Sequence, residues 1–408
     1  MTEPTQPRRP LDGIRVLEVG QLLAGPFAGC MLGYFGAEVI KVEPLGGDPL
    51  RNWRVLRDGT SLWWYSLARN KKSVTIDLQS QAGRDLVRQL AVKCDVLVEN
   101  FKPGTMEKWG LGPDELKPLR PDLIYARVSG YGQTGPYASR PGFASVCEAV
   151  GGLRHVNGFP DRPPVRPNLS LGDSLAGMHA VMGILLALLA KRSGNPAGQV
   201  VDIAIYESVF NMLEGVVPEY DGAGVVRGPS GSTLTGIVPS NTYICGDGKY
   251  VVIGANGDSL FQRLMRAIGR PDLAADSRLA NNAGRVRHEQ EIDSVIAAWT
   301  AANDSAVILQ TLEDIAVPGG PIYSVADMAA DPHFNARGLF EQTTTASGPL
   351  KIPAIAPKLS DTPGRTEWAG PKLGEHTDQV LRELLGLGED ERLSLRKAGV
   401  TQARKEME

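Results

Sequence analysis

Several signatures that would assign this chain to a common functional class are missing, and each absence narrows the field. The four cysteines, Cys30, Cys94, Cys147 and Cys245, lie far apart, have no metal-ligand spacing and sit among apolar neighbours. They read as reduced, buried thiols of a cytoplasmic protein. The five histidines (His155, His179, His288, His333, His376) are scattered, none paired with another at the spacing a metal needs. No charge of one sign dominates: a net charge of -3 over 408 residues gives no general attraction to nucleic acid or a membrane surface. The most apolar run, Met178 to Ala190, falls short of the roughly 20 residues a bilayer requires and is interrupted by Gly183. The opening MTEPTQPRRPLDG is polar and proline-rich, unlike a secretory signal. GQLLAGPFAG has the wrong spacing for a dinucleotide-binding G-x-G-x-x-G and no lysine after Gly25 for a phosphate loop. A G-x-S-x-G elbow is also missing, which argues against a serine hydrolase.

What is present is an α/β pattern. IRVLEVG reads as a buried strand, AGPFAGCMLGYFG as a glycine-rich helix and AEVIKVE as the next strand. SVTIDL, AGRDLVRQLAVKC and DVLVENF repeat the cycle, and a third cycle puts the strand LIYARVSGYG after a helix around Pro113 to Pro118. A Rossmann-like parallel sheet follows, with ligands expected beyond the strand carboxyl ends at Gly20-Gln21, Glu99-Asn100-Phe101 and Ser129 to Gly132. The chain is long enough for two domains. Residues 1–220 read as the first part of the large domain, 221–240 as a Gly/Ser/Pro-rich linker, and 241–316 as a smaller α+β domain with a hairpin at Gly246-Asp247-Gly248. A second linker, 317–324, leads to 325–408, which returns to the large domain with GPLKIPAIAPKLS as an edge strand and Thr377 to Leu385 as a closing helix.

One stretch stands out chemically. LSLGDSLAGMHAVMGILLALLAKR, from Leu169 to Arg192, has small and large apolar residues on every face and reads as a helix buried on most sides. Asp173 sits at its mouth, the start being expected at Gly172-Asp173. Two readings of that residue are open: a cap accepting bonds from the first free N–H groups, or a reactive carboxylate in the positive field of the helix end. His179 on the same helix reads as a packed histidine. Lys71, Lys72, Lys102 and Lys108 fall near strand ends, where a polyphosphate would find charge and backbone N–H groups.

The chain resembles the class III (CaiB/BaiF) coenzyme A transferases, the family of formyl-CoA, carnitine-CoA and succinate–hydroxymethylglutarate transferases, the last being nearest in pattern. The resemblance runs through LDGIRVLEVGQLLAGPFAG, FGAEVIKVEPLGGDPLR, ARNKKSVTIDL, DVLVENFKPG, VSGYGQTGPY, LGDSLAG, ADPHFNARGLF and LGEHT. It implies that Asp173 attacks an acyl-CoA thioester, passes through an aspartyl anhydride and an aspartyl-CoA thioester, and delivers CoA to a small carboxylic acid, with succinyl-CoA as a candidate donor. It further implies that CoA lies along Leu22, Leu23, Ala24, Ile76, Asn100, Phe101, Lys102 and Lys108. Core packing competes with this reading for Ile76 and Phe101, and simple exposure competes for Lys108. Arg140 is the candidate partner of a substrate carboxylate. CoA is expected only as a thioester substrate, with no permanently bound cofactor, no metal, no nucleic acid and no membrane partner.

The family forms interlocked homodimers threaded through long linkers, and the two linkers here fit that. The chain departs from many relatives in having Gln21 where they carry arginine, and GPSGSTLTG gives no clear counterpart of a glycine-rich lid. Two alternatives share the fold: an α-methylacyl-CoA racemase and a CoA-binding protein without turnover. The racemase histidine falls near Phe143, whose ring cannot exchange a proton.

Overall fold

The computed structural model describes residues 8–402; residues 1–7, most of the polar start, lie outside them. The valine- and isoleucine-rich runs form strands β1 (Arg15–Glu18), β2 (Glu38–Glu43), β3 (Lys71–Ile76), β4 (Val96–Glu99), β5 (Ile124–Ser129) and β6 (Val200–Ala204). These six are parallel neighbours in the order 3-2-1-4-5-6, and a short β7 (Thr401–Gln402) pairs antiparallel on the β3 edge. Helices α1 (Ala24–Tyr34), α2 (Gln81–Val92), α3 (Ala144–Val150), α4 (Leu171–Arg192) and α5 (Thr377–Leu385) flank the sheet.

Side chains along a strand point alternately to its two faces, and the core divides accordingly. Val16, Val39, Val96 and Val98 pack with Ala28 and Leu32 of α1, Cys147 of α3 and Ala180 and Ile184 of α4. Leu17, Ile40, Val74 and Leu97 pack on the other face with Leu86 and Leu90 of α2 and Leu381 of α5. Helix α2 begins where Ser80 Oγ accepts the Gly83 N–H at 3.0 Å, a side-chain cap ahead of an amphipathic run. Strand order reverses between β1 and β4, so the loops leaving them diverge and open a crevice at their carboxyl ends.

By its contacts the chain groups into two units: residues 1–153, 167–214 and 334–408, which hold this sheet, and residues 154–166 with 215–333. The sequence boundaries at 220 and 325 differ from these by several residues, and 154–166 belongs to the second unit. Within that unit, Ser240–Ile244 and Tyr250–Gly254 pair antiparallel across the Gly246 to Gly248 turn, and Gly319–Pro321 adds a third strand. Phe261, Leu264, Ile292, Ile296, Ile308 and Leu312 close its own core.

Three expectations need correction. GPLKIP does not join the large sheet: Gly348–Pro353 pairs only with Phe340–Thr345, in six consecutive antiparallel pairs from Phe340–Pro353 to Thr345–Gly348 that make a separate hairpin. Helix α4 starts at Leu171, and it is not buried on most sides. Its small residues Ala176, Gly177, Ala180 and Ala187 face the core, whereas Met178, Met182, Leu185, Leu186 and Leu189 are exposed. All four cysteines are buried and unbonded, as read from the sequence.

Candidate active site

The loop between β1 and α1 is built by partners from elsewhere in the sheet. A Cβ on Gly20 would stand 2.5 Å from Asn100 Oδ1, so only glycine fits there. Asn100 follows β4 and locks the loop reciprocally: its Oδ1 accepts the Gln21 N–H at 2.7 Å and its Nδ2 donates to the Gln21 carbonyl at 2.8 Å. Leu22 then adopts a left-handed φ of 63°, which costs a side-chain-bearing residue about 1–2 kcal/mol. The Asp48 carboxylate offsets this by accepting the Leu22 N–H at 3.1 and 3.2 Å.

Asp48 is itself fixed by buried charges. Lys41 Nζ lies 2.9 Å from Asp48 and 3.0 Å from Glu18, and donates to the Gly20 carbonyl at 2.7 Å. Burial works against the Lys41 ammonium, but the carboxylates of Asp48, Glu18 and Glu43 outweigh it and hold its pKa above the ordinary lysine value. Burial likewise works against the Asp48 carboxylate, and Lys41 with the Leu50 and Leu22 amides brings it below the usual range. Both groups are therefore charged at neutral pH, and removing either would strand its partner in the interior at about 3–5 kcal/mol. Sequence reading missed Asp48. Its only local signal is Asp48-Pro49, where its side chain accepts the Leu50 N–H at 2.9 Å.

Gln21, Ile76, Phe101 and Trp109 line a cleft of about 90 Å³ beyond the ends of β1 to β4. Ile76 is fully buried and forms its floor, and the Phe101 ring meets Trp109 edge-on at 5.1 Å. Two expected CoA contacts, Ile76 and Phe101, thus line this cleft next to Asn100, while Leu23 and Ala24 are buried at the entry to α1. Lys102 and Lys108 are exposed beside it, and neither has an acidic partner among the described residues. Lys71 and Lys72 do not serve a polyphosphate. Lys71 is buried against Glu18 at 2.7 Å and the Pro26 carbonyl at 2.7 Å, and Lys72 bonds Glu38 at 2.7 Å. Arg140 stands on an exposed segment with its guanidinium 3.6 Å from the centre of the Tyr137 ring.

Asp173 is the third residue of α4, half-buried in the first turn. It is not the N-cap. Ser170 occupies that position without a side-chain cap bond, and the Gly172 N–H is taken by Glu148 Oε1 at 3.0 Å. Glu148 is fully buried on α3 and escaped sequence reading, since nothing local ties it to a helix 24 residues away. One turn below Asp173 on the same face, a Cβ on Gly177 would meet Phe27 at 2.8 Å and the Ala24 carbonyl at 2.9 Å. That close approach sets Asp173 beside the Leu23-Ala24 entry to α1. Burial first, then the charges of Asp173 and Glu148, push the Cys147 thiol up to about 11, which leaves the thiol inert. His179 is engaged at both ring nitrogens, by the Leu175 carbonyl at 2.8 Å and Asn211 at 3.2 Å. A larger cleft of about 470 Å³ opens against the same helix start, lined by Ser170, Leu171 and Ser174 on one side and Arg54, Leu62 and Trp63 on the other.

A half-buried carboxylate in a helix's first turn has N–H dipoles to hold it and to stabilise an oxyanion forming nearby. The chain as a whole is similar to known proteins. The family model described as CoA-transferase family III matches residues 11–377. Succinyl-CoA–D-citramalate CoA-transferase of Chloroflexus aurantiacus is 50% identical over 95% of this chain and 96% of its own length. Succinate–glutarate CoA-transferase of Agrobacterium fabrum is 37% identical, over 94% and 98%. Among solved structures, a CaiB/BaiF family protein from Brucella suis superposes with a TM-score of 0.81 at 35% identity, covering 92% of this chain and all of that one. The chain belongs to CoA-transferase family III and is an enzyme that moves coenzyme A between an acyl-CoA thioester and a carboxylic acid.

Proposed function

We propose that the enzyme takes CoA from succinyl-CoA and gives it to a small dicarboxylic acid of the citramalate, malate or glutarate kind, with Asp173 as the nucleophile. The observation that carries the assignment is the position of Asp173 in the first turn of α4, beside the loop that Asn100 and Asp48 hold in shape. An Asp173 oxygen attacks the thioester carbonyl, the C–S bond breaks and CoA leaves as the thiolate, giving a mixed anhydride. The thiolate then attacks the aspartyl carbonyl and releases succinate, leaving an aspartyl-CoA thioester. The acceptor carboxylate attacks this thioester, the thiolate leaves again, and its return to the acceptor acyl carbon frees Asp173 as the carboxylate. Protons balance throughout, and the thioester energy passes on without ATP.

The CoA chain is assigned to Leu22, Leu23, Ala24, Ile76, Asn100 and Phe101, with Lys102 and Lys108 free to meet phosphates. Phe143, at the N-cap of α3, offers no exchangeable proton, which weighs against racemisation. We also infer a homodimer, of the interlocked kind. Met178, Met182, Leu185, Leu186 and Leu189 form one stripe along α4 that a monomer leaves in water, and a second copy is the occupant proposed for it. Cytoplasmic residence fits the four unbonded thiols.

Incubation with succinyl-CoA followed by hydroxylamine tests the nucleophile. The expected product is an aspartyl hydroxamate on the peptide holding Asp173, read by mass spectrometry. Exchange of the α proton without any adduct would favour a racemase, and neither signal would reduce the protein to a CoA binder.

A further inference from the structure

We infer that Arg54 reads the far carboxylate of the substrate, so that the 470 Å³ cleft beside the start of α4 selects dicarboxylic acyl groups. This rests on the transfer chemistry proposed above and deepens it. Arg54 is the one charged residue among those lining the cleft; Val55, Leu62, Trp63, Leu169 and Leu171 make its walls largely apolar. A carboxylate entering such a space loses water and needs a counter-charge with directed donors. The guanidinium supplies both, and its planar fork matches a carboxylate in a way an ammonium does not.

Two further observations show that Arg54 is placed rather than merely exposed. Its guanidinium lies 4.4 Å from the centre of the Trp63 ring. Stacking of this kind occupies the face of the group and leaves the N–H bonds, which lie in its plane, free at the edges. No carboxylate among the described residues takes those donors. Its backbone φ is 59°, a conformation that a side-chain-bearing residue adopts only when its surroundings impose it. The surroundings are the segment already seen to shape the CoA loop: Asp48 holds Leu22, Arg51 grips Glu43 at 2.7 Å, and Leu62 N–H closes on the Val55 carbonyl at 2.9 Å. One short segment therefore fixes the loop on one side and presents a free guanidinium on the other.

Because donor and acceptor use the same nucleophile in turn, each would place its far carboxylate on Arg54. Arg140, the candidate from sequence, does not line this cleft.

Identity exchange isolates a single acyl group and tests the inference. Labelled succinate is exchanged into succinyl-CoA, and labelled butyrate into butyryl-CoA, which matches succinyl in length but ends in a methyl group. The wild type is expected to exchange succinate far better than butyrate. In Arg54→Gln, kcat/KM for succinate should fall by about 10- to 100-fold, the usual loss for a charge-assisted bond, while butyrate exchange stays unchanged. Arg54→Lys should lie between the two. Equal loss for both acyl groups, or retained preference for succinate in Arg54→Gln, overturns the assignment while leaving the dicarboxylate reading intact. Collapse of the preference in Arg140→Gln instead would move the role to Arg140 and overturn it too. A wild type without preference for succinate would overturn the dicarboxylate reading itself.

Discussion

Asn100 shows how single residues set up this site and how far each was legible beforehand. It stands in ENFKPG, at the end of a strand easily read from VLVE, so its position at the ligand-binding edge of the sheet was visible in the sequence. What it does there was not: its bonds run to Gln21, 79 residues away. Separation in sequence likewise hid Asp48 and Glu148, whose partners Leu22 and Gly172 lie 26 and 24 residues away, and Arg54, whose cleft is completed by Leu169 to Ser174. Asn100→Ala should release the Gln21 amide and carbonyl and raise KM for the acyl-CoA more than it lowers kcat. The stability cost should be about 1–3 kcal/mol, measured by denaturant melts alongside steady-state kinetics. Gly20→Ala should destabilise the wild type more than it destabilises Asn100→Ala, because truncation removes the oxygen its new methyl would strike.

Elements followed their apolar periods closely where both faces of the sheet are covered. Strand runs such as RVLE and VLVE gave β1 and β4 without ambiguity, since strands buried on two faces are apolar nearly throughout. Helix α4 was misjudged for the opposite reason. Its composition is apolar all round, and sequence alone cannot separate a face packed in the same chain from one left for another surface. The closing helix was legible, but its anchor was not: His376, at the N-cap of α5, accepts the Ser73 N–H on Nδ1 at 3.2 Å. Burial pushes the His376 pKa below its ordinary value near 6.5. Between that value and the lower folded one, the unfolded chain binds more protons, so stability is full above about pH 6.5 and falls as the pH drops. Thermal melts from neutral pH downward should therefore show a loss of stability that His376→Asn reduces. An unchanged slope in that variant would assign the acid sensitivity elsewhere.

At the scale of the whole molecule, the 3-2-1-4-5-6 sheet reverses its strand order between β1 and β4, and the residues that shape the site come from the loops at that point. The order of strands was not readable, because it depends on which edges pair and not on any one run of residues. The exposed α4 stripe carries its own prediction. The wild type should sediment as a dimer, and Met182→Glu with Leu186→Glu should yield particles of half that mass, since charges cannot be buried in an apolar seam without partners. An unaltered mass would remove α4 from the interface.

The most direct test of the account is to compare the wild type with Asp173→Asn after succinyl-CoA and hydroxylamine, by intact-protein and peptide mass spectrometry together with a thermal melt. A single hydroxamate on Asp173 in the wild type, and no adduct or transfer in a variant that melts within a few degrees of it, is the predicted result. An adduct on another residue, or transfer that survives the substitution, would contradict it.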